Sequence, residues 1–384
     1  MKKFTLVATA AFGIESIVAN ELKTLGFNNI RTEVGRVLFD SDEAGISKAN
    51  MWLRCADRVF ILVGQFKAVT FEELFQGVNK LPWENYIPDG GAFPVDGNSV
   101  KSKLFSVSDI QAISKKAIVK RLSRVYRKEW LDEDGAKHQI RVSLLKDTVS
   151  VLMDTSGVGL HKRGYREQGN EAPIKETLAA ALVLISKWKK NIPLLDPLCG
   201  TGTILIEAAM IGRNVAPGLS RNFAFQEWDF IDKEYYKKEK LEAYEAIDYD
   251  VNLKLIGSDI NPRSVSIAES NAEKAGVDDC IEFKVQDMKT IETDMTYGYI
   301  ISNPPYGERL SDKDGVEELY VEMGKAFANF ETWSNYVITS HENFETCFGK
   351  KASKNRKLYN GKIKCYFYQY FGPRPPKELL DRTW

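Results

Sequence analysis

Histidine is scarce and cysteine is scattered. The chain has three histidines (His138, His161, His341) and five cysteines (Cys55, Cys199, Cys280, Cys347, Cys365) in 384 residues, with no C-x-x-C pair. A zinc site needs clustered ligands, so no metal is expected. Isolated thiols suit a reducing compartment, which points to the cytoplasm. No apolar run approaches the ~20 residues that span a bilayer, and no membrane partner is expected. The N-terminal MKKFTLVATA has a signal-peptide look, but Thr5 and Thr9 interrupt it and Glu15 follows soon after, so it reads as a strand. Net charge is zero, which excludes any argument about partners from the whole-chain balance.

What is present is a long chain of ordinary globular composition, enough for two or three domains at ~100–200 residues each. Residues 3–9 read as a strand, 13–25 as a helix closed by Gly26, and Arg36–Phe39 as a strand. A helix over 43–54 and a strand over 58–66 follow. This order suggests a ferredoxin-like α+β unit, whose full pattern is β-α-β-β-α-β. Residues 90–100 are turn-rich. A helix from Ser106 to Lys128 carries Ile110, Ile113, Ala117, Ile118, Leu122 and Val125 on an apolar face. Strands over 138–145 and 148–154 meet at a Lys146-Asp147 turn, and the polar, glycine-rich 155–172 reads as a linker. From Ile174 on, helices and strands alternate, with strands expected at 192–196, 253–259, 281–285, 297–302 and 334–340 and a final pair over 355–371. That alternation argues a doubly wound α/β sheet.

Three strand ends in this half carry an aspartate. Ile192-Pro-Leu-Leu-Asp196 leads into Pro-Leu-Cys199-Gly200-Thr201-Gly202-Thr203 and then an apolar helix. The glycines allow a tight turn and close approach of a ligand to the backbone, but the G-x-G-x-x-G spacing of a dinucleotide site is missing. Asp259 ends the second strand and is placed to accept hydrogen bonds from ribose hydroxyls. Asp287 follows the third and is placed for an adenine amino group. Any one such aspartate is more often a helix cap; three in register line one crevice. Residues 213–252 read as an aromatic, charged insertion between the first two strands.

The fourth strand runs into Asn303-Pro304-Pro305-Tyr306. Prolines fix the turn and remove backbone donors. The Asn303 side-chain oxygen and the Pro304 carbonyl suit the N–H groups of a base amino group, whose lone pair is otherwise delocalised into the ring. Holding it there favours the developing positive charge on nitrogen. Tyr306 suits stacking on the base. Much of the rate would come from placing that nitrogen in line with a methyl donor.

Asp196 to Thr203 together with Asn303 to Tyr306 resembles class I methyltransferases acting on planar amino groups. Gly159-Leu-His-Lys-Arg-Gly-Tyr-Arg166, Ala172-Pro-Ile-Lys-Glu-Thr-Leu-Ala-Ala-Ala181, Gly307-Glu-Arg-Leu310 and Lys357-Leu-Tyr-Asn-Gly361 extend the resemblance to the THUMP-containing RNA methyltransferases. In particular, the chain is similar to the N-terminal half of ribosomal large-subunit methyltransferase L, which makes N2-methylguanosine in rRNA. The resemblance implies a ferredoxin-like segment (1–55), a THUMP domain (56–156), a linker (157–172) and a Rossmann-like, seven-stranded methyltransferase domain (173–384). It implies S-adenosylmethionine held by Asp196, Cys199, Gly200, Thr201, Gly202, Thr203, Asp259, Asp287 and Asn303, with the base held by Asn303 to Tyr306. The substrate it implies is a guanine N2 in rRNA, with tRNA as the alternative. DNA amino-methylation, glutamine-N5 methylation of protein, an RNA-binding factor without catalysis and a nicotinamide oxidoreductase are weaker readings.

Charge distribution supplies candidate RNA contacts. Nine basic residues lie between Lys101 and Lys128, opposed by Asp109 alone. From these we take Lys101, Lys103, Lys115, Lys116, Lys120 and Arg124 as RNA contacts, and add Lys162, Arg163 and Arg166 from the linker. Gly349 to Lys364 adds seven basic residues and no acidic one.

Overall fold

The computed structural model describes residues 3–166, 174–307 and 313–380, excluding the side chains of 313, 314, 379 and 380. The expected linker beyond Arg166, Pro173 and the Glu308-Arg-Leu310 stretch lie outside the described residues.

Two seven-stranded sheets organise the described residues. The first holds β1 (Phe4–Thr9), β2 (Asn28–Glu33), β3 (Arg36–Ser41), β4 (Arg58–Lys67), β5 (Val95–Val100), β6 (Ile140–Leu145) and β7 (Thr148–Asp154). Their spatial order is β2-β3-β1-β4-β7-β6-β5. Helices α1 (Glu15–Thr24), α2 (Glu43–Trp52), α3 (Phe71–Asn79) and α4 (Val107–Tyr126) cover it. Strand β4 belongs to two units at once. Its start pairs with β1 through Arg58↔Thr9 to Ile61↔Leu6, and its length pairs with β7 from Phe60↔Asp154 to Lys67↔Thr148. The ferredoxin-like unit and the unit after it therefore share one hydrogen-bonded ladder.

Side-chain alternation explains the layering. Leu6, Ala8, Val37, Phe39, Val59 and Ile61 face the main core, while their neighbours Val7, Leu38 and Phe60 meet Leu152 on the opposite face. Helix α3 starts with a reciprocal capping box, Thr70 with Glu73, the kind of cap worth about 1 kcal/mol. On α4, Ile110, Ala117, Ile118 and Leu122 are buried as expected, but Val125 is exposed. Residues expected as turn contain β5, which runs parallel to β6. The Lys146-Asp147 turn is as expected, with both residues at positive φ (50° and 63°), the geometry of a tight hairpin turn.

The second sheet holds β8 (Leu194–Asp196), β9 (Leu255–Asp259), β10 (Ile281–Val285), β11 (Tyr299–Ser302), β12 (Ser334–Thr339), β13 (Lys354–Asn360) and β14 (Ile363–Tyr370), in the order β10-β9-β8-β11-β12-β14-β13. Strands β8 to β12 are parallel and β14 runs antiparallel to β12. Helices α5 (Glu176–Ser186), α6 (Thr203–Gly212), α7 (Lys233–Glu245), α8 (Pro262–Ala275), α9 (Lys313–Ala328), α10 (Phe344–Phe348) and α11 (Lys377–Leu380) complete the chain. Both sheet faces are covered. Leu194, Ile301 and Ile338 share a core with α5 and α6, whereas Leu195, Ile300 and Val337 share one with Tyr320, Met323 and Phe327 of α9.

The 213–252 insertion ties this half to the first sheet. Trp228 is fully buried, stacks on His138 at 5.2 Å and donates to the Lys137 carbonyl at 3.0 Å. The Gly218 amide donates to the Met51 carbonyl at 3.0 Å, and Trp52 donates to Glu239 of α7 at 2.6 Å. On the other flank, Arg356 of β13 donates to the Gly13 carbonyl and to Ser16. Gly13 has φ +96°, and a Cβ there would sit 2.5 Å from the Lys357 carbonyl, so this contact admits glycine alone.

Candidate active site

Strands β8 and β11 are parallel neighbours, and the order turns one way to β9 and β10 and the other way to β12. This is the switch point where loops leave in opposite directions and open a crevice at the carboxyl ends. The glycine turn follows β8 and Asn303 follows β11, so both stand on the same edge. Ser302 joins them: its hydroxyl donates to Asp196 Oδ1 at 2.9 Å.

The turn is held at several points. The Cys199 amide donates to the Ser258 carbonyl and the Gly202 amide to the Cys199 carbonyl, each at 2.9 Å. Asp259 Oδ2 accepts the Gly200 amide at 3.0 Å, and Oδ1 accepts the Asn261 amide at 2.9 Å. Asn271 of α8 donates to the Thr201 carbonyl at 3.1 Å. Gly202 has φ +77°, and a Cβ on it would lie 2.9 Å from Phe283 and 3.0 Å from Ala268. Gly200, at φ +52°, faces open space. Helix α6 begins at Thr203 without a side-chain cap, so its first amides point toward the crevice, a setting that favours anionic groups.

The three aspartates differ. Asp196 is 2% exposed, and burial raises its carboxyl from the ordinary 3.8 to about 7, with Ser302 and the Leu198 amide pulling down and Asp259 pushing up. Its expected contact with a cofactor is corrected: it braces the turn from inside. Cys199 and Thr203 are buried too, so they shape the loop from within. Asp259 is half-buried at the crevice and engaged by the turn. Asp287 is half-buried and caps the short turn Met288–Thr290 through the Lys289 amide at 3.0 Å.

In the tetrapeptide, Tyr306 donates to Asn303 Oδ1 at 2.6 Å. Pro304 is buried and Pro305 exposed. Tyr320 of α9 donates to the Pro305 carbonyl at 2.6 Å and bonds Thr339 at 2.8 Å, which fixes the double-proline turn from behind. Tyr306 is half-buried against Asn360 and Cys365 of the β13–β14 hairpin, and burial raises its phenol well above the ordinary value. Ser302, Asn271 and Tyr320 escaped the sequence reading, because each acts through a partner distant in sequence.

The basic residues divide. Lys101, Lys103, Lys116, Lys120, Arg124 and Lys162 are exposed. Lys116, Lys120 and Arg124 follow one face of α4 at helical spacing. Lys115 is half-buried and engaged by Glu133 and by the Phe93 carbonyl, which sets it apart from the exposed cations. The assignment of Arg163 to RNA is corrected: it is 2% exposed, pairs with fully buried Glu207 at 3.3 Å and donates to the carbonyls of Leu160 and Arg54. Arg166 points inward, to Thr203 Oγ1 at 2.5 Å, the Ile174 carbonyl and Glu176. It braces the start of α6 instead of facing solvent.

Among the described residues no group of His, Cys, Asp and Glu is arranged to hold a metal ion, and no helix is long and apolar enough to cross a membrane.

Comparison with known proteins places this geometry. The RMKL-like methyltransferase domain matches residues 163–369, the RlmL ferredoxin-like domain residues 5–60, and the THUMP domain residues 68–154. YpsC of Bacillus subtilis (strain 168), named as a candidate RNA methyltransferase, is 50% identical over 386 residues, spanning all of both chains. The crystal structure of a Listeria monocytogenes protein, described by prediction as an N6-adenine-specific DNA methylase, is 51% identical with a TM-score of 0.92 and covers 97% of each chain. That of SMU.472, described as a candidate methyltransferase and complexed with SAH, is 49% identical with a TM-score of 0.92. It covers 98% of this chain and 100% of its own.

Proposed function

The chain belongs to the RMKL-like methyltransferase family with RlmL-type ferredoxin-like and THUMP domains, and from that premise we propose that it transfers a methyl group from S-adenosylmethionine to the exocyclic N2 of a guanine in RNA. We take large-subunit rRNA as the substrate and the cytoplasm as the setting. The supporting observation is the Ser302–Asp196 hydrogen bond, which puts the glycine turn and Asn303 on one lip of the switch-point crevice.

The residues present fit the cofactor. Gly200 faces open space, the amides starting α6 suit a carboxylate, and Asp259 stands at the end of β9, where ribose hydroxyls meet an acceptor. When bound, the cofactor supplies an electrophilic methyl group. The chain's own part is positioning. Asn303 Oδ1 and the Pro304 carbonyl accept the base N–H groups and take up developing positive charge. Tyr320 keeps the double-proline turn from shifting, and small displacements of such a turn are costly in rate. The Tyr306 ring suits the base face.

The THUMP unit and the exposed basic face of α4 support RNA over DNA. The description of the Listeria protein favours adenine N6 instead, and one experiment separates the two. The purified chain is incubated with labelled S-adenosylmethionine and total RNA from a strain lacking the protein, and the labelled nucleoside is identified. N2-methylguanosine is expected. N6-methyladenosine, or label entering DNA in preference to RNA, overturns the reading.

A further inference from the structure

A cleft of about 410 Å³ lies where four parts of the chain meet. The β1–α1 loop contributes Ala11 and Phe12, the segment before β4 contributes Asp57, the start of α5 contributes Lys175 and Thr177, and the end of β13 contributes Tyr359. Phe12 is 46% exposed and meets Tyr359 edge to face at 5.7 Å. Lys357 reaches over both rings, at 5.8 Å and 5.6 Å. Asp57 is half-buried, accepts from the Thr177 hydroxyl at 3.5 Å and lies in the field of Lys175.

An exposed phenylalanine beside a tyrosine is a stacking platform, and an exposed lysine over it suits a phosphate. A half-buried carboxylate facing the same space accepts N–H donors and offers none. The cleft is also joined to the reacting centre from two sides. Asn360, between the cleft residues Tyr359 and Gly361, touches Tyr306. Glu176, between Lys175 and Thr177, pairs with Arg166, which holds Thr203 at the start of α6. The Arg356 bonds to Gly13 and Ser16 fix the loop that carries Phe12.

We infer that this cleft seats one nucleotide of single-stranded RNA adjacent to the methylated one, with its base stacked on the exposed Phe12 ring and bounded by Tyr359, its N–H edge on Asp57 and its phosphate on Lys357. Guanine fits best, because N1–H and N2–H match the two carboxylate oxygens. The inference rests on the RNA reading above and names how that RNA is threaded.

The test uses the full chain and total RNA from a strain lacking it, with two readouts. Ultraviolet crosslinking followed by peptide mapping is expected to place RNA adducts on the peptides carrying Phe12 or Tyr359. In methyl transfer, Phe12→Ala, Tyr359→Ala and Asp57→Asn are each expected to raise KM for RNA about tenfold, as loss of one stacked or hydrogen-bonded base does, while kcat and cofactor affinity change little. Phe12→Trp and Tyr359→Phe keep a ring and are expected to restore the parent KM, which a merely structural role would not require. Adducts confined to other peptides with KM unmoved overturn the inference while methyl transfer stands. Adducts in the cleft without methylation of any RNA support the cleft and overturn the catalytic reading. No captured RNA overturns both.

Discussion

The Tyr306 hydroxyl donates to Asn303 Oδ1 at 2.6 Å, so the stacking residue and the acceptor residue of the tetrapeptide are hydrogen-bonded to each other. An amide oxygen has two lone pairs, and one remains for a base N–H. Asn303→Ala is expected to lower kcat by a factor of about 10²–10³, the usual cost of removing a preorganised polar group, with cofactor affinity nearly intact by calorimetry. Tyr306→Phe keeps the ring and is expected to stay within about tenfold of parent turnover, whereas Tyr306→Ala falls much further. Parent-like turnover in Asn303→Ala removes the residue from the mechanism.

Asp196 gives a pH dependence of known sign. Its carboxyl rises from 3.8 to about 7 on folding because burial penalises the charged form. Between about pH 4 and pH 7 the folded chain therefore holds a proton that the unfolded chain has released. Stability from this group is full below that window and is lost as pH rises through it. Asp196→Asn keeps an oxygen for Ser302 and the Leu198 amide and carries no charge. At pH 8 it is expected to melt several degrees above the parent, with the gap closing by pH 4. Equal melting temperatures at pH 8 contradict an ionised, buried Asp196.

Arg163 of the expected linker forms a buried pair with Glu207 of α6, and Tyr165 donates to Glu207 at 3.1 Å. Removing one partner strands a charge. Glu207→Ala is expected to cost about 3–5 kcal/mol in urea unfolding. Arg163→Met combined with Glu207→Leu removes both charges together and is expected to cost less than the sum of the two single changes, the remainder coming from the Tyr165 hydroxyl and the Leu160 and Arg54 carbonyls left without partners.

Asp259 holds the Gly200 amide as well as standing at the ribose position, so its loss acts twice. Asp259→Ala is expected to weaken S-adenosylmethionine binding about 10–100-fold, as charged hydrogen bonds of ~1.5–3 kcal/mol imply. Titration calorimetry with an unchanged Kd rules out that placement.

Exposed cations on α4 lead to a salt experiment. Replacing Lys116, Lys120 and Arg124 together by Gln is expected to lower RNA affinity and to flatten the plot of log K against log salt by about 0.7 per lost phosphate contact. Lys115→Gln, already engaged by Glu133, is expected to leave the slope unchanged. A slope indifferent to the triple change places the RNA elsewhere.

The sequence revealed best what the core dictates. Strands such as Leu194–Asp196 and Tyr299–Ser302 are buried on both faces and read as apolar runs ending in polar turns. The two strands left unplaced, Asn28–Glu33 and Val95–Val100, lie at opposite edges of the first sheet, where one side of each meets no partner and apolar alternation is weak. The helix Phe71–Asn79 carried a readable Thr70-to-Glu73 signal that the reading passed over. Within the site, the glycine turn and the tetrapeptide were legible because their chemistry is local. Arg163 and Arg166 were misplaced because a basic residue in a polar stretch resembles a solvent-facing one until its partners, Glu207 and Thr203, arrive from far along the chain.

Strand β4 is a member of two structural units, so nothing between them acts as a hinge: rotating one against the other means rupturing backbone pairs. Trp228, lodged against His138, locks the same assembly to the catalytic half. The reach from the cationic helix to the double-proline turn is thereby set like the jaws of a fixed caliper. If α4 grips RNA as proposed, so fixed a reach is expected to select targets by the distance between the reactive nucleotide and the gripped segment, and methyl transfer to RNAs of graded spacing checks it.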